Sequence, residues 1–271
     1  MPGVATASQR SDVVVEIGGL PIRLRSDDPS FLRLLRERYA GYLSTSNQST
    51  FDFDVELSPP GTNTGDEDVQ VTWNSGCWLM TRGDFRAEWN PSNFRGRIRQ
   101  TINPYSLDSV LRIVHTLLLA QRGGFLVHAS SAIRNGRAFL FSGVSGAGKT
   151  TISRLAPPDA ALLTDEISYV TREGGAYFAI GTPFFGELAR AGENLKAPID
   201  TFYLLAKGIE NKIEPITGAS AVRALMANIL FFARDPQFVE LVFDSALDFA
   251  RRVPVRRLTF APDSRVWELI V

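Results

Sequence analysis

Phe125-Leu-Val-His-Ala-Ser-Ser-Ala-Ile133, Arg134-Asn-Gly-Arg137, Ala138-Phe-Leu-Phe141 and Gly143-Val-Ser-Gly-Ala-Gly-Lys149-Thr150 follow one another along the chain, and their order decides the fold. Two apolar runs joined through Asn-Gly carry the strongest short hairpin signal, because both central residues of the favoured turn need positive φ. The second run is therefore antiparallel to the first. It feeds a segment that fits G-x-x-x-x-G-K-[ST] at every fixed position. A glycine-rich turn lets successive backbone N–H groups converge on phosphate oxygens without side-chain obstruction. Gly143, Ser145, Gly146, Ala147, Gly148, Lys149, Thr150 and Thr151 are the nucleotide-binding candidates. The loop amides cradle phosphates, Lys149 reaches the outer ones, Thr150 offers a hydroxyl to Mg²⁺, and a helix beginning near Lys149 turns its positive end to the same charge. ATP and Mg²⁺ are the expected cofactors. In the common layout of P-loop NTPases the loop follows a strand of a parallel βαβ sheet, whereas here it sits mid-chain behind a hairpin.

Phosphoryl transfer needs a phosphate cradle, a cation and a group that orients the nucleophile. Beyond the loop, the apolar run Ala160–Leu163 leads to Asp165-Glu166. One crossover brings both acids beside Lys149 and Thr150; one suffices for Mg²⁺, which keeps several waters, and the other is free to act as base. Two acids beside a dense phosphate repel, which raises at least one pKa unless Mg²⁺ and Lys149 offset it. The bland alternative is a strand-ending turn with its acids in solvent. Sixteen positions from Lys149 to Asp165 leave no room for the strands and helices that separate the corresponding motifs of ABC-type or AAA-type ATPases. His128, in an apolar strand, reads by itself as a satisfied core residue. Arg190, Lys196, Arg223 and Arg234 are candidate clamps that surface charge explains equally well.

The 271 residues carry 29 Lys plus Arg against 29 Asp plus Glu, so no overall basic field attracts nucleic acid or a membrane. A single cysteine, Cys77, excludes an internal disulfide framework and any cysteine-rich zinc site. The first ten residues lack an apolar signal core and no stretch is long enough for a membrane span, so the expected location is cytoplasmic.

Residues 1–104 read as a β-rich module, a candidate for substrate docking, and 105–271 as the nucleotide-binding domain. Strands are expected at Val13–Ile17, Pro21–Leu24, Phe51–Leu57, Val69–Trp73, Cys77–Met80 and Phe85–Trp89, with a helix opening at Asp28 and the turn-rich run Ser58–Gly65 between strands. Trp73, Trp78 and Trp89 at strand spacing read as core rather than as a ligand platform. Ser106 is expected to cap a helix over Leu107–Leu119 whose apolar stripe leaves His115 near its edge. The tail predicts a buried helix over Ala219–Phe232, another over Gln237–Leu247, and closing strands over Pro254–Phe260 and Val266–Ile270.

The set formed by Val127-His128, the hairpin, the loop Gly143–Thr150, a short helix and Leu162-Leu-Thr-Asp-Glu166 resembles the bacterial HPr kinase/phosphorylase family and its shorter relatives, including those that phosphorylate lasso-peptide precursors. The resemblance covers residues 123–171 and continues more weakly through Gly181–Glu187 and Ala197–Leu205. It implies an α/β fold, an α+β mixed sheet built on a P-loop core of the phosphoenolpyruvate-carboxykinase type. It also implies that Asp165 takes the proton of an attacking seryl hydroxyl, that Glu166 helps Thr150 hold Mg²⁺, and that His128 supports the catalytic carboxylate. The Glu-Ile-Arg-Gly segment tied to the family's phosphorylase activity is absent, with Glu187 in Phe184-Phe-Gly-Glu-Leu188 as a partial substitute. The expected activity is an ATP-dependent serine kinase acting on a peptide or small protein. A non-catalytic ATP-binding regulator and a kinase of free serine or a sugar are the alternatives. Acceptor identity, the choice of ATP over GTP or pyrophosphate, and assembly as a homo-oligomer are left open.

Overall fold

A computed structural model describes residues 11–46, 48–59 and 67–270; the N-terminal segment and most of the turn-rich run Ser58–Gly65 lie outside the described residues. The chain divides into two units between Leu111 and Arg112, inside a helix. Among the described residues no helix is long and apolar enough to cross a membrane.

In the first unit, β1 (Ser11–Ile17), β2 (Leu20–Ser26), β3 (Phe51–Leu57), β4 (Gln70–Asn74), β5 (Cys77–Arg82), β6 (Phe85–Asn90) and β7 (Arg95–Gln100) form one sheet in the order β1-β2-β3-β7-β6-β5-β4. The β2–β3 and β3–β7 pairs are parallel and the rest antiparallel. Strict alternation makes one face apolar: Val13, Val15, Ile22, Leu24, Phe51 and Phe53 are buried. The other face is a cross-strand charge lattice, in which Arg25 reaches Asp52 at 2.6 Å and Arg23 pairs with Asp12 and Asp52. This lattice explains β7, which its charge-rich sequence hides. Arg95, Arg97 and Arg99 stand opposite Asp52, Asp54 and Glu56 on β3, while Ile98 and Gln100 face inward. Between β2 and β3, α1 (Pro29–Arg38) is capped by Asp28, which accepts from Ser30 N at 2.8 Å and Phe31 N at 3.0 Å. Trp78 and Trp89 are buried, whereas Trp73 lies half exposed against Trp78.

Helix α2 (Pro104–Ala120) starts before the expected Ser106 cap. Tyr105 N donates to Asn103 Oδ1 at 3.0 Å, and Ser106, fully buried, spends its hydroxyl on Asp84 at 2.6 Å. Asp108 accepts from the Tyr39 hydroxyl at 2.6 Å and pairs with Arg38 in a buried cluster.

The second unit is a mixed α/β structure with mixed sheets, built on β8 (Phe125–Arg134), β9 (Arg137–Ser142), β10 (Ala161–Thr164), β11 (Ile167–Glu173), β12 (Ala176–Ile180), β13 (Lys196–Lys207), β14 (Lys212–Ile216), β15 (Ile229–Leu230) and β16 (Val255–Phe260), with α3 (Lys149–Arg154), α4 (Gly218–Met226) and α5 (Pro236–Arg252). The β8–β9 hairpin is antiparallel across Asn135 (φ 52°) and Gly136 (φ 75°). Strand β8 is divided between two sets of partners. Residues 125–128 pair with β11 and 129–134 with β9. Pairing then runs β11–β12–β13 and returns through a parallel β13–β9 contact, closing a circuit on β8. Beyond it β16 adds parallel to β13 and β14 antiparallel to β16.

Alternation along β9 and β13 separates two cores. Leu140 and Phe202 join Phe125, Val170, Leu225 and Phe249 on the α4–α5 side. Phe139, Phe141, Tyr203 and Leu205 join Ile152 of α3, Phe260 and Trp267 on the other. Two tail expectations change. The helix expected over Ala219–Phe232 ends at Met226, because Ile229-Leu230 finds the open edge of β8 at Leu126–Val127 and pairs there. Val266–Ile270 is not a strand: Asp263 accepts from Arg265 N at 2.9 Å and opens a 3-10 turn that drives Trp267 inward, where its Nε1 donates to Ile152 O at 3.1 Å.

Candidate functional site

The site gathers where β8 leaves one set of partners for the other. Backbone carbonyls at such a parting lose ladder donors and must find others. Ser142 Oγ donates to His128 O at 2.7 Å, and Ser168 Oγ donates to Ala129 O at 2.9 Å while contacting Ser131 Oγ at the same distance. His128 stands at this parting, opposite Ile167, with a side chain 39% exposed.

The loop runs from the end of β9 to α3. Gly143, Gly146 and Gly148 hold φ of 157°, 77° and 112°, the last two in the region that side chains avoid. A Cβ at Gly143 would lie 2.8 Å from Ala147 Cβ, and one at Gly148 would lie 2.7 Å from the Phe260 ring. At Gly146 the same position meets open space. The loop is thus pressed against the protein at its ends and open in its middle, which suits a backbone cradle for phosphate. Lys149, 9% exposed, folds back so that Nζ donates to Gly143 O at 3.0 Å. Burial lowers its pKa, and the charges of Glu166 and Glu187 oppose that shift. Helix α3 spans Lys149–Arg154, beginning where expected.

The adjacent acids face opposite ways. Asp165, 2% exposed, accepts from Gly186 N at 2.9 Å and Leu188 N at 2.8 Å, one bond to each carboxylate oxygen. It therefore clamps the segment that carries Glu187. A solvent-facing turn is excluded for Asp165, whose two oxygens each accept one backbone N–H. Glu166 points outward, 35% exposed, with Oε1 3.5 Å from His128 Nε2. The His128 hydrogen bond, then the charges of His128, Arg112 and Lys149, hold the Glu166 carboxyl below the ordinary range against the pull of burial. The lysine thus offsets the repulsion between the neighbouring acids at Glu166. Gly186 makes room for it: a Cβ there would sit 2.6 Å from Glu166 Oε2.

The structure brings Lys149 under the charges of Glu166 and Glu187, brings Glu166 to His128, and sets Thr150 beside Lys149 in the chain. Among the described residues no three His, Cys, Asp or Glu side chains cluster as a metal centre. A hydroxyl and a carboxylate such as Thr150 and Glu166 carry are oxygens of the kind that Mg²⁺ takes, an ion that keeps waters and leans on phosphate. Lys196 is elsewhere, paired with Glu173 over the Phe178 ring. Arg190 lines a cavity with Arg154 and Glu193. Sequence reasoning missed Arg112, which stacks over Phe184 at 4.9 Å and biases Glu166; an arginine within the apolar turns of α2 was the available signal. It also missed the seryl hydroxyls at the parting of β8 and the missing side chain at Gly186.

A family model described as "ScmC: SynChlorMet cassette protein ScmC" matches residues 96–271. Among solved structures, the Hpr(Ser) kinase/phosphatase from Coxiella burnetii matches with 12% identity, covering 54% of this chain and 85% of that chain at a TM-score of 0.30. No curated protein matches the chain.

Proposed function

The chain belongs to the SynChlorMet cassette protein ScmC family, and from that premise we propose that it is an ATP-dependent, Mg²⁺-requiring kinase that phosphorylates a hydroxyl, a serine of a peptide or small protein. One observation carries the reading: a glycine loop of phosphate-binding form whose lysine lies under the influence of Glu166, itself 3.5 Å from His128. A purely structural glycine turn gives no reason for a buried ammonium, an ionised glutamate and a half-exposed histidine to converge.

The residues divide the work as follows. The amides of Gly143–Lys149 and the Lys149 ammonium bind the phosphates. Thr150 and Glu166 hold Mg²⁺, which supplies neutralisation of the transferred charge when bound. His128, oriented by Glu166 through one ring nitrogen, offers the other to the acceptor hydroxyl proton. Asp165 is a positioning residue that holds Gly186–Leu188 and thereby Glu187. This departs from the role the family resemblance gives to Asp165.

The test is transfer of label from radiolabelled ATP to peptides and small proteins encoded beside this chain. Lys149→Ala and Glu166→Gln are expected to lower transfer by about 10²-fold or more, and His128→Gln to lower kcat with nucleotide affinity retained. Loss of kcat in Asp165→Asn with KM unchanged, alongside an active His128→Gln, would return the base to Asp165. A non-catalytic nucleotide sensor draws support from the internal engagement of Asp165 and Lys149. Tight ATP binding without transfer to any acceptor would favour it, and transfer to free serine or a sugar would favour a metabolite kinase.

A further inference from the structure

Helices α4 and α5 each bury one face, through Ala221 and Leu225 and through Val242, Ala246 and Phe249. Further apolar residues lie beside that face, Met226 and Ala250 among them still packing against the core. Ala219, Val222 and Met226 on α4 share helical spacing, as do Phe243, Leu247 and Ala250 on α5, and together they line a groove of about 730 Å³. The stripe on α5 continues outward to Val239, with Val239 46% and Phe243 47% exposed. An apolar surface of this kind costs solubility and marks an interaction site. Arg223 and Arg251 also line the groove, and among the described residues neither makes an ion pair. The other nearby arginine, Arg252, is tied to Asp248 at 2.8 Å.

We propose that the α4–α5 groove, apolar along its lining and positive through Arg223 and Arg251, docks an acidic amphipathic segment of the peptide acceptor. Charge complementarity selects this occupant: apolar side chains fill the groove and carboxylates meet the two arginines. The position also suits it. The turn that ends α4 gives Asn228 O to His128 N at 2.8 Å, and β15 then pairs with Val127, so the groove is one turn and one short strand away from the candidate base. The proposal takes the identity of the occupant from the peptide-kinase reading, but docking is measured without nucleotide, so each can fail alone.

The probe is a fluorescein-labelled peptide with leucine at i, i+3, i+4 and i+7 and glutamate elsewhere; its control replaces every glutamate by lysine. Fluorescence anisotropy with the full chain is expected to show binding of the acidic peptide only, weakening as salt rises. The double variant Arg223→Glu/Arg251→Glu is expected to lose about tenfold in affinity for it and to gain affinity for the lysine peptide. Phe243→Asp, checked for an unchanged melting profile, is expected to lose the acidic peptide without gaining the lysine one. Equal binding of the two peptides by wild-type chain, or no binding of either, overturns the proposal. So does a concentration-dependent dimer that Phe243→Asp dissolves, since the groove is then covered by a second copy. Docking without transfer in any assay leaves the groove standing and sinks the kinase reading; transfer that the double variant leaves unaltered does the reverse.

Discussion

The two sheets use their strands differently. In the first unit each strand alternates, one face buried and the other a lattice of Arg, Asp and Glu, so register is fixed twice over, by burial and by charge. In the second unit β8 and β9 are buried along most of their length, and Ser142 Oγ and the neighbouring Ser168 Oγ of β11 turn to the backbone carbonyls of β8. A charged lattice stabilises a surface and leaves nothing to do chemistry. A strand parted between two sets of neighbours instead leaves His128, 39% exposed, at the parting with Glu166 3.5 Å away.

The largest test of that contrast is Asp108→Ala in the first unit. It leaves Arg38 buried beside Tyr39 without its carboxylate, and urea unfolding is expected to show a loss of about 3–5 kcal/mol; a loss under about 1 kcal/mol would mean the cluster is hydrated. Next is Lys149→Ala in the second unit, expected to lower transfer by about 10²–10³-fold while far-UV circular dichroism stays unchanged. If transfer survives, the loop lysine has no part in the chemistry.

His115 sharpens the comparison through pH. Both ring nitrogens are buried without a partner, the ring meets Tyr169 edge-on at 5.4 Å, and burial followed by the charge of Arg122 pushes its pKa down to about 3. On acidification the unfolded chain protonates first, near its ordinary value of about 6.5. Stability contributed by the neutral ring is therefore complete above that value and falls by about 1.4 kcal/mol per pH unit below it, until the folded pKa is reached. Urea titrations at successive pH values check this slope, which His115→Phe should remove. Ser168→Ala takes the donor from Ala129 O and is expected to cost about 1 kcal/mol, measured as a lower melting temperature. The smallest effect belongs to the lattice: Arg86 and Glu88 are well exposed at 3.3 Å, and Arg86→Ala should change stability by less than about 0.5 kcal/mol. A change above 1 kcal/mol would show that the lattice acts as a network.

Strands β1 to β6, α1 and α5 were legible because period-2 and period-3.6 patterns and local caps such as Asp28 and Asp235 lie within a few residues of one another. The hairpin and loop were legible because Asn-Gly and the glycine spacing encode backbone conformation directly. What escaped depends on remote partners. Arg95–Gln100 becomes a strand only opposite Asp52–Glu56, and Ile229-Leu230 only because β8 has an edge to offer. Asp165 and Glu166 look alike as neighbouring acids; the amides of Gly186 and Leu188, more than twenty residues on, turn one inward and leave the other to His128.

A strand that belongs to two closed pairings at once acts as a shared beam. Strand β8 is braced by β15 and β11 along its first half and by β9 and β10 along its second, and close-packed interiors transmit strain rather than absorb it. The turn after α4 and the strand entering the glycine loop therefore meet on one strand, the first bonding to His128 itself and the second pairing from Ala129 onward.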